Sequence, residues 1–469
     1  MRPPRPLAPA IAAAVAAAVA LAACGGVHGG PGGSGAGDPY FPKAGNGGYD
    51  VTHYDLALAY DPDGHRLTGT ATLTARATED LSAFHLDLLG LKVEKVEVGG
   101  RGARFHHAGQ ELTVRPPGEL RAGAEFRVRV RYSGRPITVT DPDGSKEGWL
   151  RTADGALALG QPTGSMTWFP GNHHPSDKAS YDLSMTVPEG LRVVSNGEPR
   201  GERTAAGRTT YAWRTTEPMA SYLATVAIGK WEYRRSRTGD GLPVYTAADP
   251  EQARDSRAVL RRIGEVVAWA RDAFGPYPFS SVGAIVDRPA DVGYALETQN
   301  RPVFPGAPDL VLLVHELAHQ WYGDSVSPES WRDMWLNEGF ATYAEWLWQE
   351  DHGGDTAEET FDALYAGRYF AGAEANASIW AFPPADPPDA AHLSAAPVYQ
   401  RGAMVLHKIR QRVGDAAFRS LLRGWSAAHR HGNADTDDFT AYVEERAPDQ
   451  DFSVVWKDWL YGDGKPERP

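Results

Sequence analysis

Residues 311–350 read VLLVHELAHQWYGDSVSPESWRDMWLNEGFATYAEWLWQE, and the organisation of the chain follows from this stretch. His315 and His319 stand four apart around Glu316, a spacing that on a helix sends both imidazoles out of one face about one turn apart. Two nitrogen donors on one face can grip a single metal ion. Leu312, Leu313, Leu317, Ala318 and Trp321 make the helix apolar enough to be buried, and a buried helix carrying His, Glu and His without a metal would strand three polar groups. Glu316 lies about 100° round the helix from His315, where it can touch a water at the metal without being a ligand; that is the place of a general base. A catalytic zinc site takes three protein ligands and keeps its fourth position open, so a third ligand is needed. Glu338, in Trp335-Leu336-Asn337-Glu338-Gly339, is the candidate. Eighteen residues separate it from His319, enough for the chain to leave the first helix after Gly323, turn through residues 325–330 and return as a second helix. Glu345 lies seven residues past Glu338, two turns along the same face, and is expected to orient a zinc histidine from behind.

The remainder of the chain frames this stretch. A length of 469 residues predicts two or three domains, and 42% apolar residues with fourteen Trp give ample material for their cores. A net charge of −13 argues against nucleic acid as a partner. The first residues read as a processing signal: Arg2 and Arg5, a short apolar run over 10–20, then Leu21-Ala22-Ala23-Cys24. That tetrapeptide resembles a bacterial lipobox, which implies a signal peptide over 1–23 and a lipidated Cys24 as the mature terminus. An ordinary signal peptide or a retained anchor would share the apolar run, but the run is too short and alanine-rich for a comfortable spanning helix. Cys24 is the only cysteine, so it has no disulfide partner within the chain. The expected location is extracytoplasmic, lipid-anchored to a bacterial cell membrane. Residues 24–48 are rich in Gly and are expected to be a flexible tether.

From Tyr49 the signals are those of strands. Tyr54 to Tyr60, Leu67 to Arg76, Phe126 to Tyr132 and Tyr181 to Val187 alternate, broken by turns at Pro62-Asp63-Gly64, Gly99-Gly100, Asp141-Pro142-Asp143-Gly144 and Asn196-Gly197. An all-β domain, a large curved sheet or sandwich, is expected over 49–235. The periodicity then changes. Ala258, Val259, Ile263, Val266, Val267, Ala270 and Phe274 recur at helical spacing up to Gly275-Pro276, and a mainly helical domain is expected over 240–469. Within it, Val282 to Val286 reads as one strand, and Leu296 to Val303 lies near another. After the metal helices, further helices are expected at 355–372, 396–413, 415–430 and 435–446. His173 and His174 are adjacent and would point apart on a loop or strand, so a polar loop is expected there in preference to a second metal site.

With the metal stretch placed after a β domain, the chain resembles the aminopeptidase N family of zinc metallopeptidases. The resemblance rests on H-E-L-A-H-Q-W-Y-G-D at 315–324 and W-L-N-E-G-F-A at 335–341. Supporting it are F-G-P-Y-P-F at 274–279, S-Y-L-A-T-V-A-I-G at 221–229 and Y-Q-R-G-A-M-V-L at 399–406. It implies a saddle-shaped N-terminal β domain followed by a thermolysin-like α+β catalytic domain with one Zn²⁺ per chain. The family's exopeptidase motif, Gly-Ala-Met-Glu-Asn, has its counterpart in Gly293-Tyr294-Ala295-Leu296-Glu297-Thr298, with the glutamate kept, Leu for Met, Thr for Asn and Tyr294 extra. By similarity, Glu297 would hold a substrate's free amino terminus, Gln161 would reach the cleft from the β domain, and Tyr399 would face the developing oxyanion. Arg401 stands where relatives often carry Lys. Many relatives continue into a large helical C-terminal domain, whereas the sequence here ends at W-L-Y-G-D-G-K-P-E-R-P, which implies a cleft open on one side.

The resulting expectation is a surface-anchored zinc aminopeptidase acting on peptides with free amino termini, with Glu316 as base. Two alternatives stay open: an endopeptidase or epoxide-type hydrolase on the same zinc frame, and a surface binding protein with a structural zinc. Intact Glu316 and Tyr399 speak against the last, since a structural site needs neither.

Overall fold

Alternation along a pleated strand puts one face in the core and the other in water, and Arg66–Ala77 and Lys178–Pro188 bury every second side chain in this way. The computed structural model describes residues 29–289 and 292–468, so the apolar leader and Cys24 lie outside the described residues. The main sheet runs Glu198–Ala205, Arg208–Ala220, Lys178–Pro188, Tyr49–Asp61, Arg66–Ala77, Glu125–Gly134, Lys92–Val98, Arg101–Gly102. Its neighbours are antiparallel except for the parallel pair Lys178–Pro188 and Tyr49–Asp61. Leu56, Leu73, Val130 and Leu183 share one core with Phe84 and Leu112 of a four-stranded sheet and with Leu157, Val193 and Ile228 of a five-stranded sheet.

The catalytic domain begins earlier than the helical periodicity suggests. Glu232–Arg237 pairs antiparallel with Pro243–Ala248, which runs parallel to Val282–Val286, which in turn runs parallel to Val303–Phe304. These strands form the sheet of the second domain and move the boundary from 235–240 back to near Trp231. Alternation reveals a strand but not the sheet it joins, hence the displacement. Residues 297–302, expected near a strand, form a loop closed by a single bridge between Leu296 and Val303, where the short strand Val303–Phe304 begins.

The helix expected up to Phe274 is two, α1 (Ala253–Leu260) and α2 (Ile263–Phe274), ended by Gly275 at φ 98°. The metal residues lie on α3 (Leu310–Ala318) and α4 (Trp335–Asp351). After α5 (Ala357–Tyr365), Gly367 at φ 68° stops a helix expected to reach 372, and α6 (Ala373–Ser378) follows. A π turn at Pro397–Arg401 leads into α7 (Gly402–Val413), and α8 (Asp415–Ala428) and α9 (Thr436–Arg446) come next. A Cβ on Gly339 of α4 would lie 2.9 Å from the Gly402 backbone. The two helices therefore meet main chain to main chain, which brings Glu338 beside the turn that carries Tyr399.

The stretch expected to be a flexible tether is, from Gly29 on, packed against the body. Gly32 N–H donates to Ala83 O at 3.0 Å, Gly45 N–H to Asp87 Oδ2 at 2.9 Å and Asn46 N–H to Asn172 Oδ1 at 2.6 Å. Asp38 is the knot of this segment. Its Oδ1 accepts from the N–H groups of Tyr40 and Phe41, and its Oδ2 from Trp331 N–H at 2.9 Å and Ser330 Oγ at 3.0 Å, with His174 Nε2 at 3.4 Å. Tyr40 donates its hydroxyl to Pro387 O at 2.6 Å, and Phe41 packs edge-on to Trp331. Glycine content measures the freedom of the free chain, and here side-chain acceptors take up the backbone donors that would otherwise leave it loose.

Burial alone would raise the Asp38 carboxyl, but His174 and the N–H groups of Trp331, Phe41 and Tyr40 hold it down at about 2, below its ordinary 3.8. A depressed carboxyl stabilises the fold above its unfolded pKa and loses that contribution as pH falls through the folded value. Replacing Asp38 by Ala is expected to cost roughly 2–3 kcal/mol in urea unfolding at pH 7, because buried donors lose their acceptor. The gap to wild type should close as pH is lowered from about 4 to about 2. A gap that persists unchanged at the lowest pH would contradict the assignment.

Candidate active site

α3 starts where Asp309 accepts from Leu312 N–H at 2.8 Å, and its apolar residues bury it so that His315 and Glu316 sit in the core. His319 closes the helix as its C-terminal cap. The chain then turns at Gly323, whose φ of 130° and closeness to His319 Nδ1, 3.2 Å from where a Cβ would stand, leave room for glycine alone. α4 returns antiparallel and presents Glu338 to the two imidazoles.

Nitrogen and oxygen donors of His315, His319 and Glu338 all lie within 4.8 Å of one another, and all three residues are buried. Glu338 Oε2 is 3.2 Å from His315 Nε2 and 3.3 Å from His319 Nε2. Behind the rings, His315 Nδ1 contacts Glu345 Oε1 at 2.6 Å and His319 Nδ1 contacts Tyr322 O at 3.0 Å. A carboxylate and a carbonyl only accept, so each Nδ1 carries the hydrogen and each Nε2 turns its lone pair to the centre. Burial opposes a charged imidazole, yet Glu338 and Glu345 carry His315 well above its ordinary value, and Glu338 and Glu297 carry His319 to about 9. Burial would likewise raise Glu338, but the two imidazoles hold it well below the carboxylate range. The site is thus built to keep positive charge at its centre. Two nitrogens and one carboxylate oxygen converging in this way fit Zn²⁺ with a position left open. The residues are positioned as a zinc site.

A cavity of about 450 Å³ opens over the three donors and is shared by both domains. Glu316 lies on its floor, buried, with Oε2 meeting no donor, and burial lifts its carboxyl to about 8. Tyr399, in the π turn, stacks near-parallel with His315 at 6.1 Å between ring centres, and burial followed by the charge of Glu338 raises its phenol well above the ordinary value. Glu297 follows the one-residue bridge at Leu296 and is buried, its carboxyl raised by desolvation. Gln161 reaches it from the β domain, Nε2 donating to Oε1 at 3.0 Å. The structure thus gathers His315, His319, Glu338, Glu316, Glu345, Tyr399, Glu297 and Gln161 at one cavity.

Other residues singled out in the sequence sit elsewhere. Arg401 faces away and donates to the carbonyls of Trp459, Phe382, Asp458 and Gly462, tying down the C-terminal turn. The His173 ring meets Ser221 Oγ and Phe169 O, while His174 meets Ser176 and Asp38. Several supports of the site carry no sequence signal of their role. Gln320 accepts Asn300 N–H at 2.8 Å and donates to Asp324 at 2.6 Å. The Asn196-Gly197 turn binds Gln299 O and Asn300 Oδ1, just after Glu297. Buried Arg301 donates to Ser195 O and Gly197 O and lies between Trp213 and Tyr245. Only the long-range pairing reveals these roles.

Residues 51–223 match the Peptidase M1 N-terminal domain and residues 309–459 the Peptidase family M1 domain. A solved M1 zinc metallopeptidase from Deinococcus radiodurans is 30% identical at a TM-score of 0.83, covering 93% of this chain and 98% of its own. A variant of that metallopeptidase bound to a Tyr-Ser-Ala substrate superposes at the same TM-score. Probable aminopeptidase 2 of Sulfurisphaera tokodaii is 27% identical over 325 residues, which are 62% of this chain and 39% of the relative. Probable aminopeptidase 1 of Saccharolobus solfataricus is 23% identical over 451 residues, 89% of this chain and 54% of the relative. The match therefore spans 39% of one of these curated relatives and 54% of the other, well short of their full length. With its zinc site, its two-domain fold and its near full-length match to a solved member, this chain belongs to the M1, aminopeptidase N-like family of zinc metallopeptidases.

Proposed function

We propose that the protein is a zinc-dependent aminopeptidase that releases residues one at a time from the free amino terminus of peptides. The observation that carries this reading is the Glu297–Gln161 pair, 3.0 Å apart on the wall of the cavity whose floor is Glu316. A buried carboxylate held by one neutral amide has capacity left for an ammonium group, and an amine pinned there limits which peptide bond can meet the metal residues. Zn²⁺ held by His315, His319 and Glu338 would supply Lewis acidity, polarising the substrate carbonyl and acidifying a water. Glu316 accepts the proton of the attacking water on its carboxylate and hands it to the leaving amine. Tyr399, kept as a neutral phenol, donates a hydrogen bond to the carbonyl oxygen as charge grows on it. Glu345 and the Tyr322 carbonyl keep the two rings from turning. The aminopeptidase relatives and the Tyr-Ser-Ala complex of the Deinococcus neighbour support the same reading.

We further infer that the chain is lipidated at Cys24 and works outside the cytoplasm on a membrane surface. The support is the leader at 1–23 with Cys24 at its end. Among the described residues, no helix is long and apolar enough to cross a membrane.

Glu316→Gln is expected to lower kcat on aminoacyl-anilides by roughly a thousandfold while metal analysis still finds one zinc per chain. Turnover near the wild-type level would remove Glu316 from the role of base. Glu297→Ala should cut kcat/KM on the same substrates roughly a hundredfold, since a substrate ammonium then loses its charged partner. Wild-type enzyme should leave N-acetylated peptides intact, and their cleavage would instead favour an endopeptidase. For the anchor, wild-type protein is expected in the detergent phase of a phase-partition assay and Cys24→Ser in the aqueous phase. Equal partitioning of the two would refute lipidation.

A further inference from the structure

One wall of the cavity takes no part in the chemistry above. Two further carboxylates line it, Asp141 and Asp143, and among the described residues no Lys or Arg does. Both belong to the tight turn between Thr138–Thr140 and Lys146–Arg151. The turn is held by Asp141 N–H to Ser145 O and Gly144 N–H to Asp141 O, both 2.9 Å, with Gly144 at φ 91°. Asp143 Oδ1 accepts from Ser145 N–H and Oγ and stays exposed at the rim, whereas Asp141 is buried. No ion pair reaches either aspartate among the described residues, so neither charge is neutralised by the protein itself.

This wall is connected to the group that holds the amine. Gln161 bonds Glu297, and two residues on, Thr163 donates its N–H and its hydroxyl to Glu147, the hydroxyl at 2.8 Å. The carboxyl of Glu147 in turn meets that of Asp141. On the other side Tyr294, the extra residue in the exopeptidase segment, donates its hydroxyl to Lys146 O at 2.8 Å and ties the turn to the segment that carries Glu297. Burial pushes Glu147 well above the carboxylate range, so it is the neutral member of its pair and Asp141, at about 6, is the anion at neutral pH. An apolar side chain entering here would desolvate the Asp141 charge further with no cation to offset it, which is costly. A lysine or arginine would lay its stem along Pro162, Tyr294 and Leu393 and bring its charge to the two aspartates.

We propose that Asp141 and Asp143 make this enzyme selective for substrates whose first residue is lysine or arginine. The proposal rests on the aminopeptidase reading. It is tested with zinc-loaded protein on Arg-, Lys-, Leu- and Ala-anilides. Wild type is expected to show kcat/KM at least tenfold higher for Arg and Lys than for Leu. Asp141→Asn and the exposed-site variant Asp143→Asn should each lower the Arg value about tenfold while leaving Leu within twofold. An equal or higher wild-type value for Leu or Ala, or an Arg-to-Leu ratio unchanged in both variants, overturns the proposal while leaving the aminopeptidase reading intact. If no anilide is cleaved, that reading falls, and binding decides the selectivity alone. Argininamide should then raise the melting temperature of zinc-loaded Glu316→Gln protein more than leucinamide does, and the difference should vanish with Asp143→Asn added. An equal shift from both amides rejects the selectivity.

Discussion

Five ionisable groups, His315, His319, Glu297, Glu316 and Glu338, are buried together inside a largely apolar helical domain. Each would cost several kcal/mol if left unpaired. The structure meets this by pairing four of the five: Glu338 between the two rings, Glu345 and Tyr322 behind them, Gln161 on Glu297. Of the five, only Glu316 has a fully buried oxygen without a donor. That one unmet acceptor is where a proton can be taken, so the incomplete pairing is also the chemically active feature. The packing that encloses the cluster leaves no slack. Gly323 clears His319, and Gly339 clears Gly402.

The β domain is part of this arrangement and not an appendage. Lys178, rooted in the main sheet, puts its ammonium on the carbonyls of Asp324 and Ser325 at 2.9 Å and of Gly432 at 3.1 Å. Tyr222 donates to Gly323 O at 3.1 Å, steadying the turn that follows His319. Arg301 crosses the junction in the opposite direction, from the catalytic domain to the carbonyls beside the Asn196-Gly197 turn. Buried donors on both sides would be stranded if the domains separated, so the cavity keeps one shape.

How much of this the sequence disclosed depended on range. His315 and His319 lie one turn apart, and Glu338 and Glu345 two turns apart on the helix that returns beside them, so helix geometry was enough to bring them together. Strands such as Lys178–Pro188 were legible because alternation is local as well. The helix split between α1 and α2, the early domain boundary and the single bridge at Leu296 were not, because a period does not say which neighbour a segment meets. Gln161 and Glu297 are 136 residues apart; each entered the site only through resemblance, and the contact between them was not legible. Asp38 was invisible for a different reason. It stands in a Gly-rich stretch, between Gly37 and Pro39, and the acceptor role of one buried carboxylate leaves no mark on composition.

The docking of residues 29–46 sets where the folded body starts. A recombinant form trimmed to begin at Tyr49, where the Gly-rich stretch ends, would discard Asp38, Tyr40 and Phe41 together. The indole of Trp331 would lose its cover, and a main-chain donor in the wall of the cleft would lose its acceptor. Low solubility or weak turnover in such a preparation would report the cut and not the enzyme. A secreted version should begin at or before Gly29.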